Sequence, residues 1–516
     1  MNIFRYLYIL LVFFTSTTIL YSQSAANPVI YADVPDMSII KVGDNYYMSS
    51  TTMHLSPGVP IMKSKDLVNW QLVNYAYDIL EDNDVLTLEE GKNAYGRGSW
   101  ASSLRFHEGR FYVSTFSQST SKTHIFFTDD IENGPWERVE FSPSLHDHTL
   151  FFDNGKNYII WGNGVIKIAE LQDDLSDVKP GSERILLKNA SLPAGDEFIL
   201  EAEGSQIFKI DNNYYLMNIA WPKDGMRTVI IHKSDKLEGP YEGRLALQDK
   251  GVAQGGLIQA PNEQWMAYLF QDNGAVGRTP YLVPVTWVDG WPVFGIDGKV
   301  PLELDLPENE GLISGIVASD DFKRSQDEPD LPLVWQWNHN PVEKLWSIDR
   351  ELGVLKMQTD RVDSSIYSAR NTLTQRTIGP ESMATTKLNI SGMKNGDVAG
   401  LTLFQQNYGF IGVRKTDDDF YLINQNWDAE EVSVKINTPS VWVRARCDFK
   451  DRNDIGYFDY SLDEGESWEQ LGEALSMKYT LPHFMGYRYG LFYYSSSTPG
   501  GQVEFGFFDI KDSIEL

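Results

Sequence analysis

Cysteine is nearly absent: Cys447 stands alone, so no internal disulfide is possible. The fold must rest on buried apolar surface, which 516 residues can supply in two or three domains. No cysteine lies near the end of the N-terminal apolar stretch, which excludes lipid attachment there. Positive charge is scarce: 44 Lys and Arg face 72 Asp and Glu, a formal net charge of −28. Such a field repels nucleic acid, anionic membranes and strongly acidic polysaccharides, so a neutral partner is expected. HxxxH and CxxC spacings, GxSxG elbows, EF-hand spacing and phosphate-binding loops are also missing. No zinc centre or serine hydrolase is expected, and no catalytic metal or required cofactor.

Aromatic residues are plentiful at 13%, with 14 Trp and 26 Tyr. They favour β-structure and offer flat faces for sugar rings. The N-terminus, MNIFRYLYILLVFFTSTTILYSQSAANP, has Arg5, an apolar run broken by Thr and Ser, and small residues at 22–26. That layout predicts a cleaved signal peptide over residues 1–23 and export to the periplasm or beyond. As a membrane anchor the run is short and interrupted.

One phrase recurs: GDNYYMSS at Tyr46, EGRFYVST at Phe111, GKNYIIWG at Tyr158, DNNYYLMN at Tyr214 and NEQWMAYL at Trp265. Each is a turn, an aromatic and a β-prone run, the pattern of a hairpin. A second phrase follows most of them, as in KSKDLVNW, TDDIENGPW and KSDKLEGPY. The anchors are 65, 47, 56 and 51 residues apart. These periods fit four-stranded blades, and five blades make a β-propeller. An all-β fold follows, with a propeller over 27–304.

Ten residues before Tyr46 is Asp36; eleven before the other anchors are Trp100, Asp147, Glu203 and Gln254. Each position falls near the start of a blade's first strand, which lines the central channel. Three acids are thereby brought to one end of that channel, where they would repel one another unless function required them. One protonated and one ionised carboxylate are the equipment of glycoside hydrolysis. If the ionised one activates water, the anomeric centre inverts. Asp33 and Glu201 are neighbours out of register, Asp33 in a turn-like setting, and Asp196 and Glu197 read as solvated. His54, His146 and His148 are within reach of the pocket.

NPVIYADVPDMSIIKVGDNYYMSST, PGVPIMKSKDLVNW, GSWASSL, HDHTLFFD, EGSQIFK and GRTPYLVPVTWVDGWPVFG resemble, in order, the motif series of glycoside hydrolase family 43. That family comprises β-xylosidases and α-L-arabinofuranosidases on five-bladed propellers. The resemblance implies Asp36 as general base, Glu203 as general acid, Asp147 as the group that tunes the acid, and Arg278 as a ligand of sugar and carboxylate. Trp100, Gln254, His54 and His148 complete the expected substrate contacts. Where relatives carry a His on the fifth inner strand, this chain has Gln254, which argues against an axial metal. MHLSPG replaces an aromatic-rich FEWFPG-type segment, which tilts the expected sugar towards L-arabinofuranose over D-xylose.

Blade grammar stops after residue 304. A linker over 305–318 is expected, then short alternating strands over 319–516 that read as a two-sheet β-sandwich of jelly-roll type. WQWNHNP and SARNTLTQRTIGP resemble the concanavalin-like domain of family 43 β-xylosidases, which lends a loop to the pocket and makes the enzyme exo-acting. SDDF and FFDIKD, at the two ends of this domain, are a candidate structural calcium site. The expectation is an exo-acting, inverting hydrolase releasing terminal pentose from neutral plant-type xylan or arabinoxylan chains. The alternative is a non-catalytic glycan-binding propeller. A fructan-cleaving enzyme would carry NDPNG and RDP motifs, which are absent.

Overall fold

The computed structural model describes residues 24–514 except 312; the expected signal peptide lies outside the described residues. Five four-stranded antiparallel sheets follow one another between Ser38 and Phe294. Their inner strands are Ser38–Val42, Ser99–His107, Thr149–Asp153, Phe198–Ile210 and Ala253–Gln259. All five aromatic anchors lie on second strands. Tight turns join the first two strands of three blades: Glu108–Gly109, Asn154–Gly155 and Asp211–Asn212 have φ of 48° and 84°, 50° and 70°, 48° and 64°. Two successive positive φ values match the right-handed twist of the flanking strands, and Gly and Asn adopt them at low cost. Apolar side chains fill the space between neighbouring blades: Tyr47 and Ile61 meet Val113 and Phe126, and Ile160 and Ile168 meet Leu216 and Ile230.

The ring closes through the N-terminal segment. Ser24–Ala26 pairs with Glu303–Pro307, so the expected linker begins inside a strand. Asn27 then exchanges hydrogen bonds with Leu282 of the fifth blade, and Val34 N donates to Arg278 O at 3.0 Å. The first inner strand is thus laid against the last blade before it starts.

The C-terminal domain is a sandwich of two eight-stranded sheets. One is completed by the propeller: Leu55–Ser56 adds to Gln336–Asn338 with Trp337 opposite Ser56 and Asn338 opposite Leu55. A single apolar core runs through both domains, with Met48, Trp70 and Phe270 in the same cluster as Trp337, Leu401 and Tyr489. The SDDF and FFDIKD segments do meet, with Asp320 and Phe508 exchanging backbone bonds at 2.7 Å. Asp320 Oδ2, however, accepts from Arg324 and Trp335, and Oδ1 from Phe322 N. These bonds fix the Asp320 carboxylate at the start of the domain.

Candidate active site

Asp36, Ala101, Asp147, Gly204 and Gln254 line one small cavity on the propeller axis. Four of the five have left-handed backbone, with φ of 53° at Asp36, 46° at Asp147, 63° at Gly204 and 54° at Gln254. Such strain in non-glycine residues gathers at functional sites. Gly204 is required: a Cβ there would lie 2.8 Å from Gln254 Cδ.

Counting back from the anchors missed this layer by one residue in two blades. Bulges between Ser99 and Ser102, and on both sides of Glu203, shift the register. The axial residues there are Ala101 and Gly204, and Trp100 and Glu203 stand one step before them. Bulges re-aim side chains at active sites. Here the bulge lifts Glu203 above the buried Asp147, so the two acids are not equivalent.

Asp36 is 5% exposed. Arg278 Nη1 donates to both its carboxylate oxygens at 2.8 Å, and Thr51 Oγ1 donates to Oδ2 at 2.5 Å. Burial pulls the Arg278 guanidinium down, but Asp36 outweighs this and the net shift is upward. Asp147 accepts no hydrogen bond from a described residue. Burial, reinforced by Glu203 and Asp36 and opposed by His146 and Arg278, pushes its carboxyl up to about 7. Glu203 Oε2 is held by His146 Nε2 and Asn163 Nδ2, both at 2.7 Å. Oε1 is left without a partner among the described residues. Burial would lower His146, but the Asp147 charge and the Glu203 bond prevail and push it up to about 9. His146, Asp147 and Glu203 bring ligand atoms within 4.8 Å of one another, so a cation could also be held there.

An aromatic wall joins the two sides. Phe484, on a sandwich loop, packs at 4.7 Å from Trp100; Trp100 stacks on Phe116 at 6.1 Å; Phe116 meets His146 edge-on at 5.3 Å. Phe484 also lies over the Arg278 guanidinium at 5.3 Å, and its carbonyl accepts from Nη2. The loop lent to the pocket is therefore residues 479–487. Asp33, expected as turn chemistry, anchors it: Oδ1 accepts from Arg278 N at 2.7 Å and Oδ2 from Gly486 N at 2.9 Å.

The two histidines expected as substrate contacts differ in placement. His54 is 1% exposed, packed among Tyr95, His339 and His483 at the domain junction. His148 is buried, bonded to Leu145 O and Ser114 Oγ. His148 nevertheless lines the small axial cavity beside Asp147, and His146 has a side chain 44% exposed. MHLSPG likewise backs the wall, with Met53 and Leu55 packed behind Trp100 and Phe484.

The fourth blade repeats the fifth. Ala220 pairs with Thr228 as Gln271 pairs with Thr279, which makes Arg227 the counterpart of Arg278. Each arginine reaches an acid on the next blade, Arg227 Nη2 to Asp272 Oδ2 at 2.8 Å. Both guanidiniums face the ring of Phe270, at 5.9 and 5.5 Å, and Arg227 also covers Trp221 at 5.3 Å. Arg227 Nε is buried without a partner. The shared Arg-Thr dipeptide in MRTVI and GRTPY was the signal in the sequence for this second arginine.

Residues 25–292 match the family model "Glycosyl hydrolases family 43", and residues 319–511 match "Beta xylosidase C-terminal Concanavalin A-like domain". A β-xylosidase of Formosa agariphila is 28% identical over 93% of this chain and 89% of its own. A non-reducing end α-L-arabinofuranosidase of Bacteroides ovatus is 27% identical over 78% of each. A solved bifunctional GH43-CE protein of Bacteroides eggerthii superposes with a TM-score of 0.94 at 56% identity; it covers 96% of this chain, which spans 64% of that protein's length. Together with the acid-lined propeller mouth, these matches establish that the chain belongs to glycosyl hydrolase family 43 and is a glycoside hydrolase.

Proposed function

We propose that the chain is an exo-acting hydrolase that releases a terminal pentose from xylan- or arabinoxylan-derived chains with inversion. The observation carrying this reading is the contrast between two carboxylates at one mouth. Asp36 is fixed by Arg278 and Thr51, and Glu203 offers a free Oε1 beside His146.

Asp36 accepts a proton from water as that water bonds to the anomeric carbon. Glu203 gives a proton to the glycosidic oxygen as its bond to that carbon breaks. Asp147 lies beside Glu203 and His146, with ligand atoms within 4.8 Å of one another, and its charge acts on His146, the ring that bonds the acid. Gln254, which has no hydrogen bond to a described residue, is placed for water or a sugar hydroxyl.

The wall of Phe484, Trp100 and Phe116 closes one end, which suits a chain terminus. The relatives' names, β-xylosidase and α-L-arabinofuranosidase, support a pentose. The earlier preference for arabinofuranose rested on MHLSPG, which lies behind the wall, so terminal D-xylose and L-arabinofuranose stand level. No step is assigned to a metal, although His146, Asp147 and Glu203 are close enough to hold one. Export through residues 1–23 and a neutral glycan partner belong to the same proposal.

The test is a panel of aryl pentosides and arabinoxylan oligosaccharides, with Asp36→Ala and Glu203→Ala alongside, assayed with and without chelator. Release of one terminal pentose, abolished in both variants and unaffected by chelator, is expected. Glycan binding with no sugar released would instead support a binding protein.

A further inference from the structure

Below the catalytic mouth the channel is shut by a side chain of the protein itself. Arg105, on the second inner strand, donates to Leu150 O at 2.8 Å, Leu104 O at 2.7 Å, Gln206 Oε1 at 2.8 Å, Ser38 Oγ and Thr149 Oγ1. Blades one to four are thereby tied across the axis. Every acceptor is neutral, so the positive charge is spread over dipoles and not cancelled. Burial pulls the guanidinium down to about 10, which leaves it charged at neutral pH.

Beyond Arg105 the channel widens into a cavity of about 570 Å³ at the opposite face of the propeller. That volume lies within the range of small-molecule pockets. Its walls are apolar, with Phe106, Phe152, Phe208 and Trp265 among them, and Phe106 is 42% exposed. The charged and polar side chains on it are Lys41, Arg105, His107, Lys209 and Gln259, with no carboxylate. This reverses the balance of a chain with 72 acids and 44 basic residues. Lys209 is paired with Asp153 at 2.6 Å. Lys41 has no carboxylate partner among the described residues, and its ammonium lies 5.3 Å from the Tyr46 ring.

A sugar is a poor match. Its hydroxyls need several donors and acceptors, and the lining offers one amide, Gln259, whose donor Nε2 is already bonded to Glu263 O. A flat apolar body with one negative charge meets both features. The net charge of the whole chain does not forbid it, because salt at physiological strength screens charges beyond about 8 Å. We propose that this cavity binds an aromatic carboxylate, its ring against the Phe106 and Phe208 walls and its carboxylate on Lys41, favoured also by the charge of Arg105, whose five N–H groups are all committed to the protein.

The full chain would be titrated calorimetrically with naphthoate and, separately, with neutral naphthylmethanol. Saturable naphthoate binding is expected, at least tenfold tighter than the alcohol and not displaced by xylose or arabinose. Lys41→Glu and Phe106→Ala, both at exposed positions outside the catalytic mouth, should each weaken it at least tenfold while aryl pentoside hydrolysis is unchanged. Absence of saturable binding, equal affinity for the alcohol, displacement by pentose, or undiminished binding in both variants would each overturn the assignment.

Discussion

Asp33 and Asp36 grip one arginine from two directions: Asp33 Oδ1 takes the main-chain N–H of Arg278 at 2.7 Å, and Asp36 takes its guanidinium at 2.8 Å. The two aspartates of YADVPD are thus one device. The first fixes the backbone of the arginine and, through Gly486, the sandwich loop; the second receives the charge. Asp33→Asn keeps the shape but puts an NH2 against a buried N–H. A loss of about 1–3 kcal/mol is expected from an unsatisfied buried donor, with kcat/KM down about tenfold. Urea unfolding and steady-state kinetics check both, and unchanged values would mean the tether is idle.

Arg278→Lys should not rescue Arg278→Met. The guanidinium serves Asp36 and Phe484 O from separate nitrogens, and a lysine is a single point. Removing one partner of a buried pair costs about 3–5 kcal/mol. Both variants should lose at least a hundredfold in kcat, with the larger stability loss in Arg278→Met; a lysine variant near full activity would contradict the role given to this pair.

The pH dependence has a definite sign. The Asp147 carboxyl is raised from 3.8 to about 7, so the folded protein holds a proton that the unfolded chain has released. Its contribution to stability is greatest below the ordinary range and falls as pH rises towards 7. His146, raised from 6.5 to about 9, contributes fully below 6.5 and loses that contribution as pH rises through 9. Urea midpoints should decline between about pH 4 and 9, with the lower half of the decline flattened in Asp147→Asn. The same variant removes the carboxyl that is raised to about 7, so a limb of kcat/KM near that pH should be lost or displaced. A limb that stays in place would remove Asp147 from the tuning role.

Glu203 is the proposed acid, and Trp221 and Arg227 rise from the same blade beside Phe270. Trp221→Ala should therefore raise KM for oligosaccharides roughly tenfold and leave aryl pentosides almost unaffected. Equal effects on both substrates would show a structural role only.

The propeller was legible because its hairpins repeat, with turn residues that tolerate positive φ and an aromatic after each turn. Asp36 and Asp147 were legible because each stands two residues before a regular inner strand, at a near-constant count from its anchor. Glu203 was found despite a bulge that moves it off the axial layer, since counting along a chain cannot detect an inserted residue. Asp33, Phe484 and the burial of His54 were not legible, because each depends on the sandwich docking on the propeller. A contact between residues 33 and 486 leaves no local pattern in either stretch.

The central claim is that Asp36 activates water, and the product anomer tests it most directly. Proton NMR of the sugar released in the first minutes, before mutarotation, should show the configuration opposite to that of the substrate. A released sugar with the configuration of the substrate would require a covalent intermediate and contradict this account.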